Sequence, residues 1–375
     1  MVQIKVFCMQ KDEDDILEEW ILYHGYLFGY DNLYIIDNCS GTASQQILKR
    51  YQAKGIHVSA QDDYSKKGEY LYQLIQQTRN QCDLAIPLDI DEFIGYVDLK
   101  NLPMAYLRDL VRKTQSLDQA YYLSRYPQVK TEAKTPEEVT IHYVTKGYLM
   151  QWSPCTEERL VALSSVTSSH CQAIIKRYGP LLLVYYPHVA SSCDREQILS
   201  YFREIIPRKE GRYSFAYYLT SRCTEIDYEH PIQQITSFDV VDYEHYDGKF
   251  NYNKKFFEPC KLLSLDHGNH FGRVEGLTQT QYYKTQLVLF HLHHRGVRKL
   301  IEKCRNDIRG LKIVQDFQNV RELRDKVKQK VCGAHNIETY LTYLTAGPGA
   351  LLSLEGEGIT IDTLARKIQE IQSQK

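Results

Sequence analysis

Short apolar runs alternate with helical patterns through the first 88 residues, and that alternation leaves few folds open. The first run is Gln3-Ile4-Lys5-Val6-Phe7-Cys8. A helix is expected from about Asp15, where Asp15 and Glu18 have capping-box spacing. Ile16, Leu17, Trp20, Ile21, His24, Leu27 and Phe28 share one helical face, with Trp20 and His24 as packing residues. Gly29 and Asp31-Asn32 end this helix. Leu33-Tyr34-Ile35-Ile36 predicts a second strand ending at Asp37, and a helix follows over about Ala43 to Gln52. Ile56 to Ser59 predicts a third strand, about Tyr70 to Gln81 a helix, and Leu84 to Leu88 a fourth strand. Strands alternating with helices predict an α/β fold, a mostly parallel sheet with helices on both faces.

Asp89-Ile90-Asp91-Glu92 follows the fourth strand. On a strand, Asp89 and Asp91 project to one side and Ile90 to the other. Adjacent carboxylates repel and need a cation. Oxygen ligands favour Mg²⁺ or Mn²⁺, which also bind phosphate oxygens. In open α/β sheets, ligands sit at the carboxyl ends of the strands. The pattern suits a divalent ion held between the protein and a nucleotide diphosphate. A lone DxD arises often by chance; here its place after a fourth alternating strand gives it weight.

Composition narrows the partners. A formal charge of -1 over 375 residues argues against nucleic acid, whose phosphates need a Lys/Arg surplus. The chain opens directly in a strand pattern, so no signal peptide is expected, and no apolar run approaches a membrane span. Ten cysteines without a CxxC pair read as reduced thiols. A soluble, cytoplasmic protein in a reducing compartment is expected, and peripheral attachment to a membrane stays compatible with it. The 30 tyrosines read mainly as core and surface filling, with aromatic platforms for sugar rings as the functional alternative.

Beyond Tyr96 the pattern is mixed. Helices are expected over Met104 to Gln115 and Arg195 to Ile205, and strands over Ala120 to Ser124, Ala173 to Lys176 and Leu181 to Tyr186. Lys261 to Leu265 and Gln286 to Phe290 read as strands leading to histidines. A charged helix begins after Val297, with helical patterning to about Lys330. Ala346 to Gly349 breaks the tail, Glu355 to Gly358 reads as mobile, and a last helix covers about Asp362 to Gln372. If the strand before them continues, His291 and His293 face one side and His294 the other. A neutral imidazole can complete a metal shell of oxygen ligands. A zinc site would need a fourth ligand that the spacing does not supply. The planar fork of Arg295 suits a phosphate. Lys254 and Lys303 read as solvated lysines, and Lys66-Lys67-Gly68 as a charged loop, with contact to a diphosphate as the alternative.

Several of these segments occur together in a recognisable order. Lys11-Asp12-Glu13, Leu17-Glu18-Glu19-Trp20, Tyr23-His24, Gly29, Tyr34-Ile35-Ile36-Asp37-Asn38-Cys39-Ser40 and Leu88-Asp89-Ile90-Asp91-Glu92-Phe93-Ile94 follow one another. This order resembles the GT-A glycosyltransferases of the family-2-like and family-92-like (DUF23) group. Lys254, Pro259 and His267 echo a further stretch, as do His291-Leu292-His293-His294-Arg295 and Lys303. The likeness covers about Gln3 to Gly95 well and Lys254 to Lys303 loosely. Asp12 departs from the usual Asn, and Gly296 stands where Ser is usual.

The resemblance implies a Rossmann-like GT-A domain over 1-310, with a nucleotide-sugar half at 1-95 and an acceptor half at 96-310. A helical extension at 311-375 would follow, offering a homodimer surface. It implies nucleotide-sugar contacts from Lys11, Glu13, Asp37, Asp89 and Arg295, and a Mn²⁺ or Mg²⁺ ion on Asp89, Asp91 and His291. The implied activity is transfer of a sugar, from UDP by preference, to a glycan, glycolipid or protein hydroxyl with inversion. Such a reaction needs a carboxylate base. Asp227, Glu229, Asp239 and Asp242 are candidates by position. A nucleotidyltransferase is the alternative enzyme, but the acidic, Gly-free loop Met9 to Glu13 is unlike a phosphate-binding loop. An inactive carbohydrate- or partner-binding module on the same fold is the non-enzymatic alternative.

Overall fold

The computed structural model describes residues 2–97, 104–148, 150–161, 166–185, 191–222, 231–241, 251–314, 316–352 and 359–374. They fall into two compact units, one of Met1–Tyr96 with Ser192–Lys375 and one of Val97–Ser191. The C-terminal helices therefore belong to the first unit, and the division within the expected acceptor half falls at Ser191.

The first unit is built on the alternation read from the sequence. Its opening elements are β1 (Ile4–Gln10), α1 (Asp14–Phe28), β2 (Leu33–Asp37), α2 (Thr42–Gln52), β3 (His57–Ala60), α3 (Lys67–Thr78), β4 (Leu84–Leu88) and β5 (Glu92–Val97). β1 and β4 are buried throughout, so they read as continuous apolar runs, while β3 is a short, largely exposed edge. Parallel pairing sets the order β3-β2-β1-β4. The chain leaves β1 toward β2 on one side and returns from β3 to β4 on the other. The order thus reverses between β1 and β4, a topological switch point that opens a crevice at their carboxyl ends.

The sheet is not purely parallel. After helix Arg195–Ile205 come β6 (Arg212–Ser214), β7 (Tyr218–Ser221), β8 (Ser237–Val241) and β9 (Lys255–Phe257). They are followed by β10 (Leu262–Leu265), β11 (Gly272–Val274), β12 (Tyr283–Lys284) and β13 (Leu287–His291). β9 joins β4 antiparallel at Phe257–Ala85, and β6 and β12 complete a seven-stranded sheet. That ladder stops short of Pro87, which has no N–H to offer. A second sheet, of six strands, contains the order β8-β7-β13-β5, in which β7 and β13 pair parallel and the other two pairs are antiparallel.

Three expectations at the chain's start change. No capping box forms at α1: Glu13 is its N-cap without a side-chain bond, Asp15 pairs with Arg295, and Glu18 with Arg50 and Tyr51. α3 begins at Lys67, not Tyr70. Gly68 is needed there because a Cβ would lie 2.6 Å from the carbonyl oxygens of Leu265 and Asp266. The DxD lies in a turn closed by Glu92 N–H donating to Asp89 O (3.1 Å), so strand alternation does not set its facing.

Trp20 and His24 are core residues, as expected, each fully buried. His24 stacks against Phe93 and lies beside Trp20, whose carbonyl is 3.0 Å from Nδ1. Burial lowers its pKa to about 3 despite that hydrogen bond. His24 is therefore neutral when folded, and the unfolded chain takes up its proton first. Its contribution is present above pH 6.5 and is lost as pH falls from 6.5 toward 3. We expect wild type to lose about 1.4 kcal/mol per pH unit across that window from this residue. Urea titrations at pH 7.5 and 5 should show that extra loss in wild type and not in His24→Phe; parallel losses in both would contradict it.

The C-terminal helices bury their apolar faces against one another. Helices Val297–Gly310, Val320–Lys328 and Ala334–Ala346 enclose a core of Leu300, Ile301, Cys304, Ile308, Leu323, Ile337 and Tyr340. The pattern expected to run to Lys330 is thus broken after Gly310. The last helix is Thr363–Ser373. Glu355 to Gly358 lies outside the described residues.

The second unit is helical among its described residues. Met104–Gln115 is a helix as expected, but the strand expected at Ala120 to Ser124 is part of helix Gln119–Arg125. The Asp118 side chain caps that helix by accepting from Tyr121 N–H. The strands expected at Ala173 to Lys176 and Leu181 to Tyr186 fall, as far as Tyr185, in one helix, Ser168–Tyr185. Cys171, Ile174, Tyr178 and Leu182 are buried in it, at helical spacing. Among the described residues, no helix is long and apolar enough to cross a membrane. The described cysteines are free thiols.

Candidate functional site

Five segments of the first unit converge at the carboxyl ends of β1, β2 and β4. Gln10 ends β1, and its Nε2 donates to Asp37 Oδ1 (2.6 Å) at the end of β2 and to Ser40 Oγ (3.1 Å). Ser40 N–H donates to Asp37 Oδ2 (3.3 Å). Asp37 therefore ties two strand ends together, and each oxygen keeps a lone pair for a ligand hydroxyl. Lys11 lies beside this network, partly exposed.

The two aspartates of the DxD have separate cation partners. Asp89 is held by Lys67 and by Lys254, whose Nζ lies 2.6 Å from Oδ2. Lys254 is fully buried and also reaches Glu92 Oε2 at 3.1 Å. Glu92 accepts the Asp89 N–H (2.8 Å), so it holds the turn. Burial favours the neutral form of Lys254, but Asp89 and Glu92 outweigh it and keep the ammonium charged.

Asp91 is completely buried. Its Oδ2 lies 2.6 Å from Lys303 Nζ, 3.6 Å from His291 Nε2, 3.7 Å from His293 Nδ1 and 3.9 Å from Arg295. Its Oδ1 is buried without a hydrogen-bond partner. Burial opposes its ionisation, yet Lys303 and His291 hold its pKa well below the carboxylate range. Burial likewise keeps His293 well below 6.5 against the pull of Asp91, so its imidazole is neutral. One ligand atom each from Asp91, His291 and His293 lie within 4.8 Å of one another.

β13 and the turn after it position the histidines. β13 pairs antiparallel with β5, setting His291 opposite Glu92, and Leu292 N–H donates to Asp91 O (2.8 Å). Gly296 then takes φ +96° as N-cap of helix Val297–Gly310, a left-handed angle that disfavours the expected Ser. Arg295, 2% exposed, bonds Glu13 and Asp15 (2.8 Å) and the Leu292 carbonyl (2.9 Å). It fastens α1 to the DxD and is less a free phosphate fork than the sequence suggests.

Alongside lies a cavity of about 350 Å³ between the start of α1 and helix Val297–Gly310. Asp12, Glu13 and Asp14 line one side and Arg295, Lys299, Glu302, Lys303, Arg305, Asn306 and Arg309 the other. Arg305 and Arg309 lie over the rings of Tyr340 and Phe317.

The structure thus brings together Glu13, Asp89, Asp91, His291 and Arg295, with Asp37 at the neighbouring strand end. Asp89, expected as a metal ligand, instead faces two lysines, and His293 stands in its place beside Asp91 and His291. Lys67 and Lys254, both buried, and the partly exposed Lys303 are the counter-ions of the motif, although Lys254 and Lys303 read as solvated in the sequence. Three carboxylates in four residues require cations, and that signal was available. Of the base candidates, Asp227, Glu229 and Asp242 lie outside the described residues. Asp239 is exposed on β8, 3.4 Å from Arg222. No known protein-family model matches the chain, and no curated protein matches it significantly.

Proposed function

We propose that the protein is a metal-dependent glycosyltransferase that moves a sugar from a nucleotide-diphosphate donor, UDP favoured, to a hydroxyl acceptor. The α/β architecture is read here as a GT-A fold. The observation that carries the reading is Asp91: a buried carboxylate at a topological switch point, with one oxygen unpartnered and two imidazoles in reach. An orphaned buried carboxylate oxygen is costly unless something binds it. One carboxylate and two imidazoles suit Mn²⁺ better than Mg²⁺, which prefers oxygen. Asp91, His291 and His293 are therefore the residues that would hold the ion.

A bound ion supplies neutralisation of the diphosphate charge that grows as the sugar departs. The rest falls to the chain. Asp37 accepts a hydrogen bond from a nucleoside hydroxyl. Lys303 and the cations of the cavity stabilise the leaving diphosphate. A carboxylate near the acceptor takes its proton as the acceptor oxygen bonds to the anomeric carbon and the carbon–phosphate-oxygen bond breaks. Attack from the opposite face gives inversion. The acceptor hydroxyl belongs to a glycan, a glycolipid or a protein.

Thermal unfolding with UDP, GDP and CDP, with and without Mn²⁺, tests the donor site. Ligand at a hundredfold its Kd should stabilise the protein by about 2.7 kcal/mol. A shift for one nucleotide that needs Mn²⁺ and vanishes in Asp91→Ala is expected. No shift with any nucleotide would favour a binding module without transferase activity.

A further inference from the structure

The ammonium of Lys303 sits on the oxygen of Asp91 that faces both imidazoles. Its Nζ is 2.6 Å from Oδ2, and the nearest alternative carboxylate is Glu13 at 3.8 Å. Asp91 is therefore already neutralised within the chain. An incoming divalent cation meets a positive charge at hydrogen-bond distance from its own anchoring carboxylate, which is itself fully buried, so repulsion is less screened than in water. Lys303 also lines the cavity shared with Lys299, Arg305 and Arg309. Neither Arg305 nor Arg309 has a carboxylate partner within 4.0 Å among the described residues; both are steadied by aromatic rings. An anion in that cavity would give Lys303 a second partner of the right sign, less than a side chain's length away.

We propose that Lys303 is an internal counter-ion that makes the site take a divalent cation and a phosphorylated ligand together, and either one alone only weakly. Lys303 moves from Asp91 to the anion as the pair enters, so each ligand strengthens the other, and by linkage the strengthening is reciprocal. The anion class is a diphosphate or longer polyphosphate ester, whose charge matches the cations of the cavity. This deepens the proposed function and rests on its placement of the cation at Asp91. It assigns to Lys303 a positioning role that solvated-lysine reasoning does not foresee.

Calorimetric titration of Mn²⁺ into the full chain, with and without inorganic pyrophosphate, tests it without any turnover. In wild type, pyrophosphate should raise Mn²⁺ affinity at least tenfold. In Lys303→Met, Mn²⁺ alone should bind about tenfold tighter than to wild type, and pyrophosphate should add less than threefold. Complexation of Mn²⁺ by pyrophosphate in solution is common to both proteins and cancels in the comparison. Lys303→Gln serves as a second variant should Lys303→Met unfold, with the same outcome expected. Lys299→Met removes a charge from the same cavity without touching Asp91 and should change Mn²⁺ affinity alone less than twofold. Equal Mn²⁺ affinity in wild type and both Lys303 variants overturns the proposal, even where UDP stabilises the protein. Coupling to pyrophosphate with no response to any nucleotide supports Lys303 in this role and removes the nucleotide-sugar reading instead.

Discussion

Asp91→Asn is expected to lower sugar transfer by roughly a thousandfold while leaving the protein folded, because a group aimed at developing charge is lost. Asparagine keeps the size of the side chain and the backbone contact to Leu292, but it removes the charge that Lys303, His291 and His293 face. Asp89→Asn is the informative companion. Asp89 faces Lys67 and Lys254 and lies outside the group formed by Asp91, His291 and His293, so its loss should leave Mn²⁺ affinity within about threefold of wild type. The paired measurements are transfer rate with a UDP-sugar and Mn²⁺ binding to each variant. Equal losses of Mn²⁺ binding in the two would restore the simpler picture of both aspartates on one ion. Full activity in Asp91→Asn would remove Asp91 as the anchor of a catalytic ion.

The contrast between those aspartates shows what a sequence carries and what it hides. β1 to β4 and α1 to α3 were legible because each rests on local signals: an apolar run, a helical stripe, a Gly or Asn-Asp stop. His291 and His293 were legible as a pair because alternate residues leaving a strand share a side, and both indeed lie within 3.7 Å of Asp91 Oδ2. The partners of the carboxylates were not legible. Lys67, Lys254 and Lys303 lie 22, 165 and 212 positions from the aspartates they meet. Only the closed fold shows that Lys67 and Lys254 are buried and Lys303 largely so, whereas most lysines are solvated. The strand lost at Ala120 to Ser124 has a local cause instead. Ala120 to Ser124 is as good a strand as a helix by local preference, and the Asp118 cap decided it. The capping box failed for the opposite reason: Asp15 had a better partner in Arg295, 280 residues away.

The largest stability effect should come from Lys254. Its ammonium is fully buried between Asp89 and Glu92, and removing it strands two carboxylates with Lys67 as their remaining close cation. Breaking a buried ion pair by deleting one partner costs about 3–5 kcal/mol, most of it the penalty of the uncompensated charge. Lys254→Met should therefore lower unfolding free energy by about that amount at pH 7.5, read by urea denaturation. The pH dependence identifies the cause. Burial raises the pKa of Glu92 above its ordinary value, and Lys254 is the main opposing influence. Without Lys254 the folded-state pKa of Glu92 rises further. A group whose folded pKa is raised contributes its full stability below the unfolded pKa and loses it as pH climbs through the folded one. The deficit of Lys254→Met should thus be smallest near pH 4.5 and widen toward neutrality. Adding Glu92→Gln to Lys254→Met should recover part of the loss at pH 7.5, since the amide needs no counter-charge, although it weakens the acceptor for Asp89 N–H. A deficit that stays constant with pH, and that Glu92→Gln deepens, would mean that Lys254 stabilises the fold through the packing of its aliphatic stem and not as the cation of this turn.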